Sequence, residues 1–206
     1  MKHIEHLLVL SLMFVSTLAI SQNGSIYIGG AAGFNAHSVK DSDTKSSDWT
    51  FSPEVGTWLS DNLQVGIGLK LSGTKDDYKS GLNYTVTSSR TGATLYGRYF
   101  FKPGAPFRPF IGLNIDALPG KVKTDFTGGT GTDSVTKTFD FGVNLNAGFG
   151  YAISPKWMVV GSFAALGFNS HSVKADGASE KSVSSDFGLN INTLGNRFTI
   201  GFYYTL

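Results

Sequence analysis

The sequence predicts an all-β fold of eight antiparallel strands, connected up and down and closed into a barrel. Three observations predict it. Apolar residues alternate with small or polar ones at period two over many segments, as strands with one apolar face do. The connections between those segments alternate between short and long. The chain holds 26 glycines in 206 residues, nearly twice the usual share of roughly 7%, and many share a strand face with Asn and Asp.

Composition narrows the class. There is no cysteine, so disulfide frameworks and thiolate metal sites are excluded. The glycines follow no Gly-X-Y period, which excludes collagen. Aromatics at 13% are too plentiful for a disordered chain. The net charge of +2 does not point to nucleic acid.

Residues 1–21, MKHIEHLLVLSLMFVSTLAIS, read as a secretory signal peptide. Lys2 precedes an apolar run from Leu7 to Ile20, and Ala19 and Ser21 stand at the small-residue positions of a cleavage before Gln22. Residues 22–206 form the barrel domain. They hold no other long apolar run, so any membrane crossing is by strands.

The first two strands are expected at 25–35 and 49–59. The third, 63–71, alternates Leu63, Val65, Ile67, Leu69 and Leu71 with Gln64, Gly66, Gly68 and Lys70. The fourth covers 90–101. The fifth, 109–117, places Ile111, Leu113 and Ile115 against Gly112, Asn114 and Asp116. The sixth, 139–151, is the clearest: Phe139, Phe141, Val143, Leu145, Ala147, Phe149 and Tyr151 share one parity, and the other is almost only Gly, Asn and Asp. The seventh, 157–168, carries apolar residues on both parities. The eighth is read as one long strand over 184–206, with a bulge near Asn192–Asn196 where the apolar parity changes; a turn there would make nine strands.

Short connections fall at 60–62, 102–107 and 154–156, and long polar ones at about 36–48, 73–89, 119–137 and 169–186. Aromatics gather beside the short turns: Trp58, Tyr99, Phe101, Tyr151, Trp157 and Tyr204 are expected to form a belt at a membrane boundary. The inward face carries Glu54, Lys70, Arg98, Asp116 and Asp140 as a polar network, with Arg90 higher up. Glu54 and Lys70, on neighbouring strands at similar depth, are the expected pair. Buried charges need partners or water. The network therefore reads either as a plug that stiffens the barrel or as a gate.

The octet Gly33–Lys40 is echoed at Gly167–Lys174 with one difference, which puts His37 and His171 at matching places on strands one and seven. Each precedes a serine, but sequence adjacency supplies no hydrogen-bond geometry, and solvated histidines are the default reading. Gly128-Gly129-Thr130-Gly131 lacks the Lys-Ser/Thr and the helix of a phosphate loop.

These patterns resemble the small eight-stranded outer-membrane β-barrels of Gram-negative bacteria, the porin-like class that includes the OmpA barrel and OmpX. The style of the chain, including RYFFKPGAPFRPFIG across the middle turn, also resembles outer-membrane barrels of Bacteroidota. The ending Thr199-x-Gly201-x-x-Tyr204-x-Leu206 is similar to the signal read by the barrel-assembly machinery, with Leu206 where an aromatic is usual. The resemblance implies short periplasmic turns, long extracellular loops and an outer-membrane location. It also implies lipids, lipopolysaccharide and the assembly machinery as partners, and a monomer. The expected function is a structural or surface-interaction role with a largely side-chain-filled lumen. The alternatives are a narrow channel for ions or small solutes, a lipid-modifying enzyme, and a soluble lipocalin-like barrel. No enzyme activity, cofactor, metal or nucleic-acid partner is expected.

Overall fold

The computed structural model describes residues 25–39, 44–79, 83–127, 131–190 and 199–206. The signal peptide of the sequence reading, and residues 192–196, lie outside them. The described residues form β1 (Ile26–Val39), β2 (Thr44–Trp58), β3 (Leu63–Tyr78), β4 (Tyr84–Phe100), β5 (Phe107–Phe126), β6 (Ser134–Ala152), β7 (Trp157–Ala175), β8 (Ser182–Asn190) and β9 (Thr199–Thr205). Each consecutive pair from β1 to β8 is antiparallel, and β9 pairs with β7 on one side and β1 on the other. β8 and β9 therefore share the eighth position of the wall, and the sheet closes as an up-and-down barrel of eight. Closure suits a strand protein in lipid, because it leaves few backbone groups without a partner.

The short-turn end is built by repeated local chemistry. The Ser60 hydroxyl accepts hydrogen bonds from the Asn62 and Leu63 amides, and the Ser154 hydroxyl does the same for Lys156 and Trp157. Both turns close with an amide that donates to the first residue of the next strand, Leu59 to Leu63 and Ile153 to Trp157. The longer turn at 101–106 needs two left-handed positions, Lys102 (φ 55°) and Gly104 (φ 83°); glycine adopts that region without steric cost. The C-terminus meets β1 here, with the Leu206 amide donating to the Ile26 carbonyl.

At the other end the structure differs from the sequence reading. Much of 36–48, 73–89, 119–137 and 169–186 is strand, and β5 runs for 20 residues. A membrane crossing needs only about 9–11. Beyond the membrane both faces meet water, so the apolar alternation fades while the backbone ladder continues. Side chains knit this extension: Tyr78 stacks on Tyr84 at 4.6 Å, and Thr85 donates to Asp77 at 2.7 Å. That hydroxyl, with Lys75 beside it, holds the Asp77 carboxyl below its ordinary pKa.

The two parities of β7 also have a cause. Ala147 pairs with Ala164 but Gly148 pairs with Ser162, so β7 carries one extra residue there. Below the bulge Trp157 and Val159 oppose Tyr204 and Phe202; above it Leu166 and Phe168 oppose Leu145 and Val143. The eighth position switches parity at the same height. Phe187 lies opposite Phe168 and Ile200 opposite Gly161. Asn190 and Thr199, nine steps apart in sequence, face Ala165 and Ser162, three steps apart on β7.

Candidate functional site

The lumen is the site, and glycines shape it. At the short-turn end its floor is apolar: Tyr27, Phe100, Phe110, Val160 and Tyr203 are buried, with Trp58 and Met158 packed against them. Ring centroids lie 5.2 Å apart for Trp58–Phe100 and 5.1 Å for Phe100–Phe110, within the range of favourable aromatic pairs. The sequence reading puts Trp58 in the outer belt, and the structure corrects it. Trp58 shares the inward parity of Glu54 and Gly56 and stands 6.5 Å from Tyr27, because residues two apart along a strand share a face.

Directly above the floor sits Arg98. Its guanidinium donates to Glu54 at 2.8 Å and to Gln64 at 3.2 Å, and lies 4.2 Å from the Tyr96 ring centroid. Tyr203 donates to the same Glu54 oxygen at 2.8 Å, and the Tyr27 and Tyr96 hydroxyls share a 2.8 Å hydrogen bond. The expected Glu54–Lys70 pair does not form. Lys70 donates to Asp116 at 2.6 Å, and higher still Arg90 donates to Asp140 at 2.6 Å.

One rule explains all three pairs. Each joins strands two apart, across a glycine on the strand between. Glu54 lies opposite Gly68 of β3 and meets Arg98 of β4; Lys70 lies opposite Gly92 of β4 and meets Asp116 of β5. Arg90 lies opposite Gly120 of β5 and meets Asp140 of β6. A long side chain crosses the curved wall where the intervening strand offers none. At Gly66 an added Cβ would collide with the Tyr96 hydroxyl, and at Gly56 with that of Tyr27. Gly66→Val is therefore expected to destabilise the barrel by about 1–3 kcal/mol through overpacking, measured by denaturant unfolding of the refolded protein.

The lowest of the three pairs is the least exposed. The Arg98 and Glu54 side chains are 7% and 11% exposed, Lys70 and Asp116 34% and 14%, and Arg90 and Asp140 32% and 25%. The pair nearest the short turns is the most buried, and the two above it are more exposed. His171 joins the top layer, its Nδ1 against Asp140 Oδ1. His37 of β1 lies opposite Ser46 of β2, and no hydrogen bond or metal-ligand cluster joins the two histidines among the described residues.

Mid-strand apolar residues Leu69, Leu95, Ile111, Leu113 and Leu145 all point outward and are exposed. Apolar outside and polar inside is the reverse of a lipocalin, which rules against the soluble-barrel alternative. The sequence model of the outer membrane protein beta-barrel domain family matches residues 6–205. The chain belongs to that family.

Three solved structures to which the chain shows similarity are Neisserial surface protein A, a major outer membrane protein from Thermus thermophilus, and the N-terminal β-barrel domain of Pseudomonas aeruginosa OprF. The first is 17% identical over 90% of this chain and 100% of its own, with a TM-score of 0.38. The second is 13% identical over 90% and 100%, with a TM-score of 0.49. The third is 14% identical over 90% and 98%, with a TM-score of 0.38. No curated protein matches the chain.

On this outer-membrane barrel the other expected belt residues point outward. Tyr99 packs edge-on to Phe101 at 5.4 Å, Trp157 lies 5.0 Å from Tyr204, and Tyr151 is exposed beside them. The C-terminal residues share this end. Gly201 sits between Ala31 and Val160, Tyr204 between Ile28 and Trp157, and Leu206 is exposed, while Thr199 opens β9 opposite Ser162.

A second outward belt escapes the sequence reading. Phe34, Trp49, Phe51, Phe139, Phe141, Phe168 and Phe187 are exposed near the open end. Its signal is present in the sequence: each keeps its strand's outward parity, toward the end of the strand away from the short turns.

The revised pairing makes a prediction. Lys70→Ala and Asp116→Ala are expected to couple, the double variant costing less than the sum by about 0.5–3 kcal/mol, whereas Lys70→Ala and Glu54→Ala add within about 0.5 kcal/mol. Double-mutant cycles in denaturant check both.

Proposed function

We propose that the chain is an integral protein of the bacterial outer membrane that closes its own lumen and has a structural or surface-interaction role. One observation carries the reading: Phe100, Phe110 and Tyr27 on the inner face near the short turns are at most 2% exposed, with the Arg98–Glu54 pair above them, and this supports a lumen filled by side chains at that end. Eight-stranded barrels leave an interior that side chains fill.

The outer surface supports the membrane placement. Ten residue steps separate Tyr151 from Phe141 on β6. At about 3.4 Å per residue and a tilt of about 40°, they rise roughly 26 Å, which matches an apolar band of about 25 Å between aromatic belts. Outer-membrane lipids and lipopolysaccharide cover this band, the last strand engages the assembly machinery, and the protein is a monomer. The short turns face the periplasm. The extended hairpins stand in the extracellular medium and offer the interaction surface.

The reading is tested in two steps. The protein stays in the outer-membrane fraction after carbonate and urea washing; release by either wash contradicts the placement. Proteoliposomes loaded with a small sugar keep it when they contain the barrel. Efflux above that of protein-free vesicles contradicts the seal and favours the channel.

A further inference from the structure

We propose that Asp140, His171 and Ser184 form a nucleophilic triad at the open end of the lumen that cleaves acyl esters. The strand register carries the inference. Asp140 of β6 lies directly opposite His171 of β7, and His171 lies directly opposite Ser184 of β8. The three share one face on three successive strands. That face is inward: Asp140 meets Arg90 inside the lumen, whereas the next residues along, Ser170 and Ser185, bond to each other on the outer side at 3.1 Å.

The orientation suits the chemistry. Asp140 Oδ2 is held by Arg90 Nε at 2.6 Å, which leaves Oδ1 against His171 Nδ1. With Nδ1 facing the carboxylate, Nε2 on the far side of the ring is the free base. Directly opposed residues on neighbouring strands have Cβ atoms about 4.5–5.5 Å apart, so Ser184 stands beside His171 on the side away from Asp140. No hydrogen bond joins Ser184 to His171 at rest, and such contacts commonly tighten only when substrate binds. His171 is 41% exposed, so water and substrate reach it. The sequence places His171 next to Ser172, but Ser172 donates to the Phe139 carbonyl and faces the other way.

The reaction closes on itself. Ser184 Oγ attacks the ester carbonyl carbon and His171 Nε2 takes its proton. The C–O bond to the alcohol breaks, and the alcohol leaves with that proton. A water then gives a proton to His171 and attacks the acyl-serine, which releases the carboxylic acid and returns the proton to Ser184. The site lies above the floor, so this inference stands or falls separately from the closed lumen.

A fluorophosphonate probe added to the refolded protein tests it, with folding checked by heat-dependent gel mobility. Phosphonylation of Ser184 is expected, seen by peptide mass spectrometry. It disappears in Ser184→Ala and slows by about 10²-fold or more in His171→Gln and Asp140→Asn. A folded protein that is not labelled, is labelled elsewhere, or labels equally fast in His171→Gln overturns the proposal. Turnover of p-nitrophenyl butyrate alone assigns a soluble ester as substrate, and turnover of dispersed phospholipid assigns a membrane lipid. Turnover of neither overturns the hydrolysis.

Discussion

Arg98→Ala is expected to destabilise the folded barrel by about 3–5 kcal/mol, the cost of breaking a buried ion pair from one side. The substitution leaves Glu54, 11% exposed, with Tyr203 as its remaining hydrogen-bond donor. It also removes the cation from above the Tyr96 ring and the donor to Gln64. The cost comes mainly from the stranded carboxylate, so replacing both partners by apolar residues, Arg98→Met with Glu54→Leu, should restore most of it. Unfolding of the refolded barrel in denaturant, followed by tryptophan fluorescence, measures both. A loss of about 1 kcal/mol or less, typical of water-exposed pairs, would mean that solvent reaches this layer and the lower lumen is not dry.

Leu145→Arg has the second largest expected effect, about 2–4 kcal/mol, the cost of a charge on the lipid face near the midplane of a barrel. Leu145 lies on β6 between Tyr151 and Phe139, points outward and is 54% exposed. In water such a substitution would cost almost nothing, since no packed neighbour is lost. The penalty exists only if lipid surrounds the residue, so it must appear in bilayers and shrink sharply when the charge is moved to Tyr151, at the boundary. A neutral Leu145→Arg in bilayers would contradict the assignment of the apolar face to lipid.

Much of this architecture is legible in the sequence because one face of every crossing must meet hydrocarbon. β3, β5 and β6 alternate cleanly from Leu63, Ile111 and Phe139 onward, and their faces are as read. The rest is hidden for physical reasons. The polar stretches around Lys75 and Lys121 look like loops because strands in water need no alternation. β7 looks ambiguous because one extra residue beside Ala147 turns its face. Depth on adjacent strands matches Lys70 to Glu54, but an arginine or lysine reaches a strand further when a glycine such as Gly68, Gly92 or Gly120 stands between. Closeness to a turn puts Trp58 in the belt, although its parity with Glu54 already points it inward. The Asp140–His171–Ser184 row has no local signal, since it exists only once two ladders have a register.

A single-channel recording tests the central claim most directly. The refolded barrel is inserted in a planar bilayer, with insertion confirmed by protease protection of the spanning strands. The closed floor predicts no conductance steps from the wild-type protein. It also predicts steps from a Phe100→Ala, Phe110→Ala double variant that still folds, because those two rings fill the lower lumen. Discrete steps from the wild type, altered by substitution of Arg98 or Glu54, would contradict the account and make the protein a channel.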